Sequence, residues 1–205
     1  GLIASFTDST ISGNIAELDG TASLSRGGGM ALLSNGTTSE ITIQGCTIAN
    51  NIARDVSVGG TLNTYGGGAL IGSDGFVTIR NSTFSGNEAE FAGGLYDGRF
   101  SSGPFGNTDF EGCTITDNIA LDSAGGIFST NVQLRNCIIA GNAAPSFPDI
   151  EDDDLTNLLG FNLVGDGSSQ AFDNSEATDM IGVFGSTIDP LLVALADNGG
   201  PTLTH

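Results

Sequence analysis

The segment Asn81-Ser-Thr-Phe-Ser-Gly-Asn87 contains the unit that determines the fold, because the chain carries five copies of it. Each copy has Ser or Cys first, an apolar residue third and Asn sixth. The copies are Ser9-Thr-Ile-Ser-Gly-Asn14, Cys46-Thr-Ile-Ala-Asn-Asn51, Ser82-Thr-Phe-Ser-Gly-Asn87, Cys113-Thr-Ile-Thr-Asp-Asn118 and Cys137-Ile-Ile-Ala-Gly-Asn142. They begin 37, 36, 31 and 24 residues apart. A unit repeated at such intervals is typical of a solenoid, whose repeats bury their apolar faces by stacking.

The residues around each copy predict short strands and bends. Apolar and polar residues alternate before every copy, which is the pattern of a strand with one buried face. The residue directly before each copy is Asp, Gly or Asn, types that accept a positive φ, and we predict a bend there. A third strand is predicted where glycine pairs or triplets begin an apolar run, at 27–30, 66–69, 93–95 and 125–127.

These patterns predict an all-β domain, a single-stranded right-handed parallel β-helix. Three strands per repeat form one coil, coils stack about 4.8 Å apart, and the right hand follows from the rule for parallel crossovers. Residues 1–144 are expected to provide about five coils with loop insertions. Residues 145–205 are expected to form irregular last coils and a C-terminal segment of the same domain.

Equivalent side chains of stacked coils should align in columns. The third residue of each copy is expected to fill an inner column, and the first residue a second one where only small side chains fit. The sixth residues are expected to hydrogen-bond to one another as a carboxamide ladder. The ladder residues are Asn14, Asn51, Asn87, Asn118 and Asn142. An outward column supports the same register, since it holds Thr7, Gln44, Arg80, Glu111 and Arg135.

Charge and composition exclude several classes of partner. The chain has 205 residues, a formal net charge of −19, five arginines and no lysine. Such a chain cannot neutralise phosphates, so we expect no nucleic acid and no anionic membrane as partner. No apolar stretch is long enough to cross a bilayer. The hydrophobic fraction of 39% is nevertheless sufficient for a buried core.

The repeats and the C-terminal segments resemble a known group of proteins. The repeat 81–87, followed by Gly93-Gly94, is similar to those of polymorphic outer-membrane-protein β-helices. The segments Gly160-Phe-Asn-Leu-Val-Gly-Asp166, Asp189-Pro-Leu-Leu192 and Leu195-Ala-Asp-Asn-Gly-Gly-Pro-Thr-Leu-Thr204 resemble the ending of the choice-of-anchor Q group. The resemblance implies a right-handed parallel β-helix that is secreted or displayed on a bacterial cell surface. It implies no catalytic residues, and it leads us to expect a segment of a longer protein or a processed subunit.

Two clusters are candidates for chemistry. The acidic run Asp149, Glu151, Asp152, Asp153 and Asp154 could bind calcium through its oxygen atoms, and the alternative is a solvated, self-repelling loop. Cys113 and Cys137 lie on adjacent coils, where a disulfide is sterically conceivable, although small apolar packing is the favoured interpretation. No other cofactor is expected.

Enzymatic chemistry has few candidate groups. Asp109, Glu111 and Asp117 could approach one another on one coil, as a glycoside hydrolase requires. The single histidine, His205, is expected to be frayed and leaves no base for a Ser or Cys nucleophile.

The sequence therefore favours a non-enzymatic extracellular structural or adhesive protein. A carbohydrate-active enzyme and a glycan- or protein-binding module remain the alternatives. Residues 1–6 predict an uncapped strand, so we expect the first coil to stack on the rest of a longer chain or on the C-terminal end of another copy.

Overall fold

The computed structural model describes residues 1–19, 25–34, 38–57, 63–98, 106–152, 156–168, 172–173 and 175–205. All regular structure within these ranges is β-strand. In chain order the strands are β1 (Ile3–Thr7), β2 (Thr10–Ser12), β3 (Ile15–Leu18), β4 (Ser25–Arg26), β5 (Met30–Ser34), β6 (Glu40–Gln44), β7 (Thr47–Ala49), β8 (Ile52–Asp55), β9 (Thr64–Tyr65), β10 (Ala69–Ser73), β11 (Phe76–Arg80), β12 (Thr83–Ser85), β13 (Glu88–Phe91), β14 (Leu95–Asp97), β15 (Thr108–Glu111), β16 (Thr114–Thr116), β17 (Ile119–Ser123), β18 (Ile127–Ser129), β19 (Val132–Arg135), β20 (Ile138–Ile139), β21 (Ile150–Asp152), β22 (Thr156–Leu158), β23 (Leu163–Val164), β24 (Phe172–Asp173) and β25 (Met180–Ile181).

The strands form four parallel sheets that the chain visits in turn, A to D. Sheet A has the order β1-β6-β11-β15-β19-β22-β24, and sheet B has the order β2-β7-β12-β16-β20-β23-β25. Sheet C has the order β3-β8-β13-β9-β4, with β17 also on β13, and sheet D has the order β21-β18-β14-β10-β5. Each strand therefore pairs with its equivalent in the next coil, and the predicted all-β parallel β-helix is confirmed.

The inner column and the bends agree with the repeat. Ile48, Phe84 and Ile115 lie opposite one another in sheet B, and each side chain is fully buried. The residue before each repeat unit has the predicted positive φ, between 47° and 64° for Asp8, Asn81, Asn136 and the two equivalent glycines. These bends turn the chain from sheet A into sheet B, so the predicted register is confirmed.

The prediction of three strands per coil was wrong for the first four coils, which have a strand in each of the four sheets. The missed sheet C strands β3, β8, β13 and β17 come directly after the Asn of the first four units. Two of the predicted insertions leave and re-enter this same sheet, and the returning chain forms the short strands β4 and β9. In the first two coils the insertions divide this strand into pieces too short to show alternation.

The acidic run begins inside the solenoid. Ile150 of β21 pairs with Ile127 of β18 and has 1% of its surface exposed, so it extends the inner column of sheet D. Strands β22 to β25 then continue sheets A and B, which contain seven strands each. The stack thus continues past residue 144, and the described strands after β21 lie in sheets A and B only.

The C-terminal segment 183–205 folds back over the outer face of sheet B. Thr47 Oγ1 donates a hydrogen bond to the Leu203 carbonyl at 2.5 Å, and Thr202 Oγ1 donates one to the Gly45 carbonyl at 3.0 Å. The ring of His205 lies 2.8 Å from Ser85 Oγ and 2.6 Å from the Val193 carbonyl. The expectation that His205 is frayed was therefore wrong, since both ring nitrogens have partners.

Candidate functional site

The asparagine ladder runs unbroken along the corner between sheets B and C. The backbone N–H and the Nδ2 of Asn51 both donate to Asn87 Oδ1, each at 3.0 Å. The same pair of bonds joins Asn87 to Asn118, and Asn118 to Asn142. In the four buried members Nδ2 also donates to a carbonyl of the preceding coil, as from Asn87 to Ile48 at 2.9 Å. Every buried carboxamide in the ladder thus makes several hydrogen bonds, and the predicted ladder is present.

The ladder has a direction, and it ends on a carboxylate. Asn142 donates its backbone N–H and its Nδ2 to Asp149 Oδ1 at 3.2 and 2.8 Å. Asp149 Oδ2 accepts the backbone N–H of Asp166 at 2.7 Å. Asp149 is 2% exposed, and this burial raises its pKa to about 6, although the hydrogen bonds from Asn142 and Asp166 lower it. An asparagine could not make both contacts. If its Oδ1 accepted the bonds from Asn142, its Nδ2 would face the Asp166 N–H, and two donors would meet.

The predicted calcium residues point to different partners. Asp149 completes the ladder, Glu151 accepts the Ser123 hydroxyl, and Asp152 Oδ2 accepts the Val132 N–H at 3.3 Å and the Thr156 hydroxyl at 3.2 Å. Asp153 and Asp154 lie outside the described residues. Across the ranges that the structure describes, no three His, Cys, Asp or Glu side chains are grouped closely enough to hold a metal ion.

The cysteines occupy the small-residue column. Cys46, Cys113 and Cys137 are all buried and carry free thiols. The pKa of the Cys113 thiol is raised well above its usual value, because it shares a hydrogen bond with Cys137 and is buried. This thiol also lies 3.3 Å from the Ile79 carbonyl. The column therefore contains packed, free thiols.

The outer face of sheet A carries an axial groove, which we define by three columns of side chains. The central column is half-buried and consists of Thr42, Thr78, Asp109, Gln133 and Asn157. The column two residues later in each strand is exposed and consists of Gln44, Arg80, Glu111, Arg135 and Leu159. On the other side lie Glu40, Phe76, Asn107 and Asn131. Polar side chains thus form a half-buried floor between an exposed column on one side and a column of mixed length on the other.

Charged groups meet in a cleft on this face of sheet A. A cleft of about 210 Å³ is lined by Arg80, Asp109, Glu111, Gln133 and Arg135 among others. Arg80 Nε donates to Glu111 Oε2 at 3.0 Å, which confirms the predicted juxtaposition of that pair. Arg135 lies opposite Glu111 in register but forms no ion pair with the described residues.

Asp109 is the unsatisfied group of this cleft. Its Oδ1 atom is buried and accepts no hydrogen bond from the described residues. Burial raises the pKa of Asp109, and the nearby Arg80 guanidinium opposes that shift. Asp117, the third predicted carboxylate, is at the bend after β16 and does not line the cleft. The structure therefore brings together two of the three carboxylates.

An aromatic cluster outside sheets C and D is used for packing. Tyr96 and Phe128 are opposite each other on adjacent coils, with ring centroids 4.7 Å apart and planes within 7°. That separation equals the coil spacing of about 4.8 Å, so the rings cover each other's faces. Tyr65 packs against the edge of Tyr96 and stacks on Phe91. The cluster therefore stabilises the stack of coils.

Comparisons with known proteins add no assignment to this geometry. No protein-family model matches the chain, and neither the curated proteins nor the solved structures give a match. The described residues also contain no helix that could span a membrane.

Proposed function

We propose that the protein is a non-enzymatic structural or adhesive rod that acts outside the cell, on the cell surface or after secretion. The observation that carries this proposal is the continuous ladder, which joins successive coils through side chains as well as through the backbone. A solenoid held together in this way resists bending, and its length is set by the number of its coils. Net charge of −19 suits a protein that must stay dispersed.

Labelling of intact cells tests the location. Antibodies raised against the folded protein should label the surface of the organism that produces it, or should detect the protein in its culture medium. Detection only after the cells are lysed would refute the extracellular role.

The carbohydrate-active alternative depends on Asp109 and Glu111, which share the cleft of sheet A. A hydrolase needs two carboxylates about 5–9 Å apart on either side of the scissile bond. Incubation with pectin, alginate and neutral glucans, with and without calcium, should release no reducing ends. Release that disappears in Asp109→Asn and Glu111→Gln would establish the enzyme and refute the structural proposal.

We also propose that the rods associate end to end through sheets A and B. Sheets A and B each have an edge strand at both ends of the stack. The edge strands are β1 and β2 at one end, and β24 and β25 at the other. The inward-facing Phe6 and Ile11 at one end and Ile181 at the other are only partly buried, so each end offers apolar surface. Unpaired strand edges readily pair with another chain.

The ladder would not continue through such a joint. Asn14 Oδ1 accepts no hydrogen bond from the described residues, and the opposite end of the ladder is Asp149, which is also an acceptor. A head-to-tail joint would therefore be held by strand pairing and apolar contact without the ladder, and we expect it to be reversible. Particle length measured by electron microscopy should grow with protein concentration, whereas single rods at all concentrations would refute the association.

A further inference from the structure

We infer that the axial groove of sheet A binds a neutral, hydroxyl-rich polymer, that is, a neutral polysaccharide. The groove was not assigned by the sequence, which identifies only its outer charged column. The inference holds whether or not the rods associate end to end, because it depends on a side face of the solenoid and not on its ends.

The shape of the groove comes from the alternation of the strands. In β6, β11, β15 and β19, two inward residues are fully buried, the residue between them is half-buried, and the last residue is exposed. Since strands are in register, the half-buried residues form one line parallel to the rod axis. A line of small polar groups that repeats every 4.8 Å or so suits an extended chain better than a compact ligand.

The hydrogen-bonding groups of the floor are of mixed type. Thr42 and Thr78 offer hydroxyls, Gln133 and Asn157 offer amides, and Asp109 offers a carboxylate. Hydroxyls and amides both donate and accept, and a carboxylate only accepts. A sugar hydroxyl complements each of them, because it can donate to one group and accept from its neighbour.

Two groups in the cleft have unused capacity that this ligand would fill. The buried Oδ1 of Asp109 needs a donor, since a buried acceptor without a partner is costly. The guanidinium of Arg135 has no ion pair or hydrogen bond with the described residues, so its donors are free for an acceptor. Both side chains line the same cleft. One hydroxyl-bearing ligand could therefore satisfy both.

Charge favours a neutral ligand over an ionic one. Arg80 and Arg135 balance Asp109 and Glu111, so the cleft has no formal excess of either sign. A polyanion would meet two carboxylates in the cleft and a net charge of −19 around it. A metal ion would meet two guanidinium groups. Phe76, 59% exposed on the wall, adds an apolar ring against which the C–H faces of a sugar can pack.

Native gel electrophoresis with dissolved polysaccharide tests the inference. The gels contain hydroxyethylcellulose, galactomannan or arabinoxylan as neutral probes, and polygalacturonate or alginate as anionic ones. At least one neutral polymer should retard the wild-type protein. Asp109→Asn and Arg135→Gln should weaken that retardation at least tenfold.

Matched controls remove the effect of charge on mobility. Arg54 pairs with Glu17 on sheet C, away from the groove. Arg54→Gln is the control for Arg135→Gln, because each removes one positive charge. Glu17→Gln is the control for Asp109→Asn, because each removes one negative charge. Both controls should be retarded like the wild type. All four variants should keep the far-ultraviolet circular dichroism of the solenoid. The inference is overturned if no neutral polymer retards the wild type, if only anionic polymers do, or if folded groove variants and controls behave alike.

Discussion

Removal of one carboxamide from the middle of the ladder should destabilise the protein far more than removal of one from its end. The comparison is Asn87→Ala against Asn14→Ala. Asn87 is fully buried and Asn14 is exposed, yet both occupy the same position of the repeat. The substitution is therefore identical in chemistry and differs only in its place along the rod.

The magnitude follows from the bonds that each side chain makes. The Asn87 side chain accepts from the Asn51 N–H and Nδ2 and donates to the Ile48 carbonyl and Asn118 Oδ1. Loss of a buried hydrogen bond whose partner stays behind costs about 1–3 kcal/mol. Asn118 Oδ1 and Asn51 Nδ2 keep other partners, so we use the low end of that range for each of the four bonds. The expected loss of unfolding free energy is therefore near 4 kcal/mol in total, at about 1 kcal/mol per bond.

Asn14 contributes a single side-chain bond, from its Nδ2 to Asn51 Oδ1 at 2.9 Å. Water can replace that bond at an exposed site, so we expect a loss of about 1 kcal/mol or less. Urea unfolding followed by far-ultraviolet circular dichroism measures both values. Equal losses in the two variants would show that the ladder is not what holds the coils together.

Three further predictions concern Asp149, the cysteines and His205. The pKa of Asp149 is about 6 in the folded state and 3.8 is its ordinary value, so its stabilising contribution is complete below pH 3.8 and is lost as the pH rises through 6. The unfolding free energy of the wild type minus that of Asp149→Asn should then fall by up to about 3 kcal/mol from pH 4 to pH 7, and a constant difference contradicts this. Cys113 and Cys137 should be unreactive to Ellman's reagent until the protein unfolds and should then react as free thiols; loss of two thiols from the denatured count would reveal a disulfide. His205→Ala should speed proteolysis of segment 183–205 roughly tenfold by removing its contacts with Ser85 and Val193, and an unchanged rate would show that other contacts hold the segment.

The repeat made the core predictable because the fold uses each of its positions in the same way on every coil. Phe84 could be assigned to the inner column because Ile48 and Ile115 stand at the same place in their own copies. The bends followed for the same reason, since only residue types that tolerate a positive φ precede each copy. The position of a residue within its copy was sufficient to predict whether it lies in the core or at a bend, without knowledge of distant contacts.

Other features could not be predicted because their partners lie outside the repeat. Asp149 joins the ladder from a loop seven residues after Asn142, with a different side chain and at a different spacing. The partners of His205 are set by how segment 183–205 crosses sheet B, which the repeat does not encode. The groove floor, by contrast, could have been predicted from the sequence, since its residues stand two positions before those of the exposed column.

The identity of Asp149 follows from the direction of the ladder. Each Asn presents its oxygen to the preceding coil and directs its backbone N–H and one Nδ2–H toward the next, so it needs an acceptor on that side. The last acceptor needs no further donor, and in this protein its second oxygen must accept the Asp166 N–H as well. A carboxylate is the side chain that accepts on both sides and donates on neither when ionised. The raised pKa of Asp149 is the cost of placing that charge in the core, which is why we expect the end of the ladder, and not its middle, to make stability depend on pH.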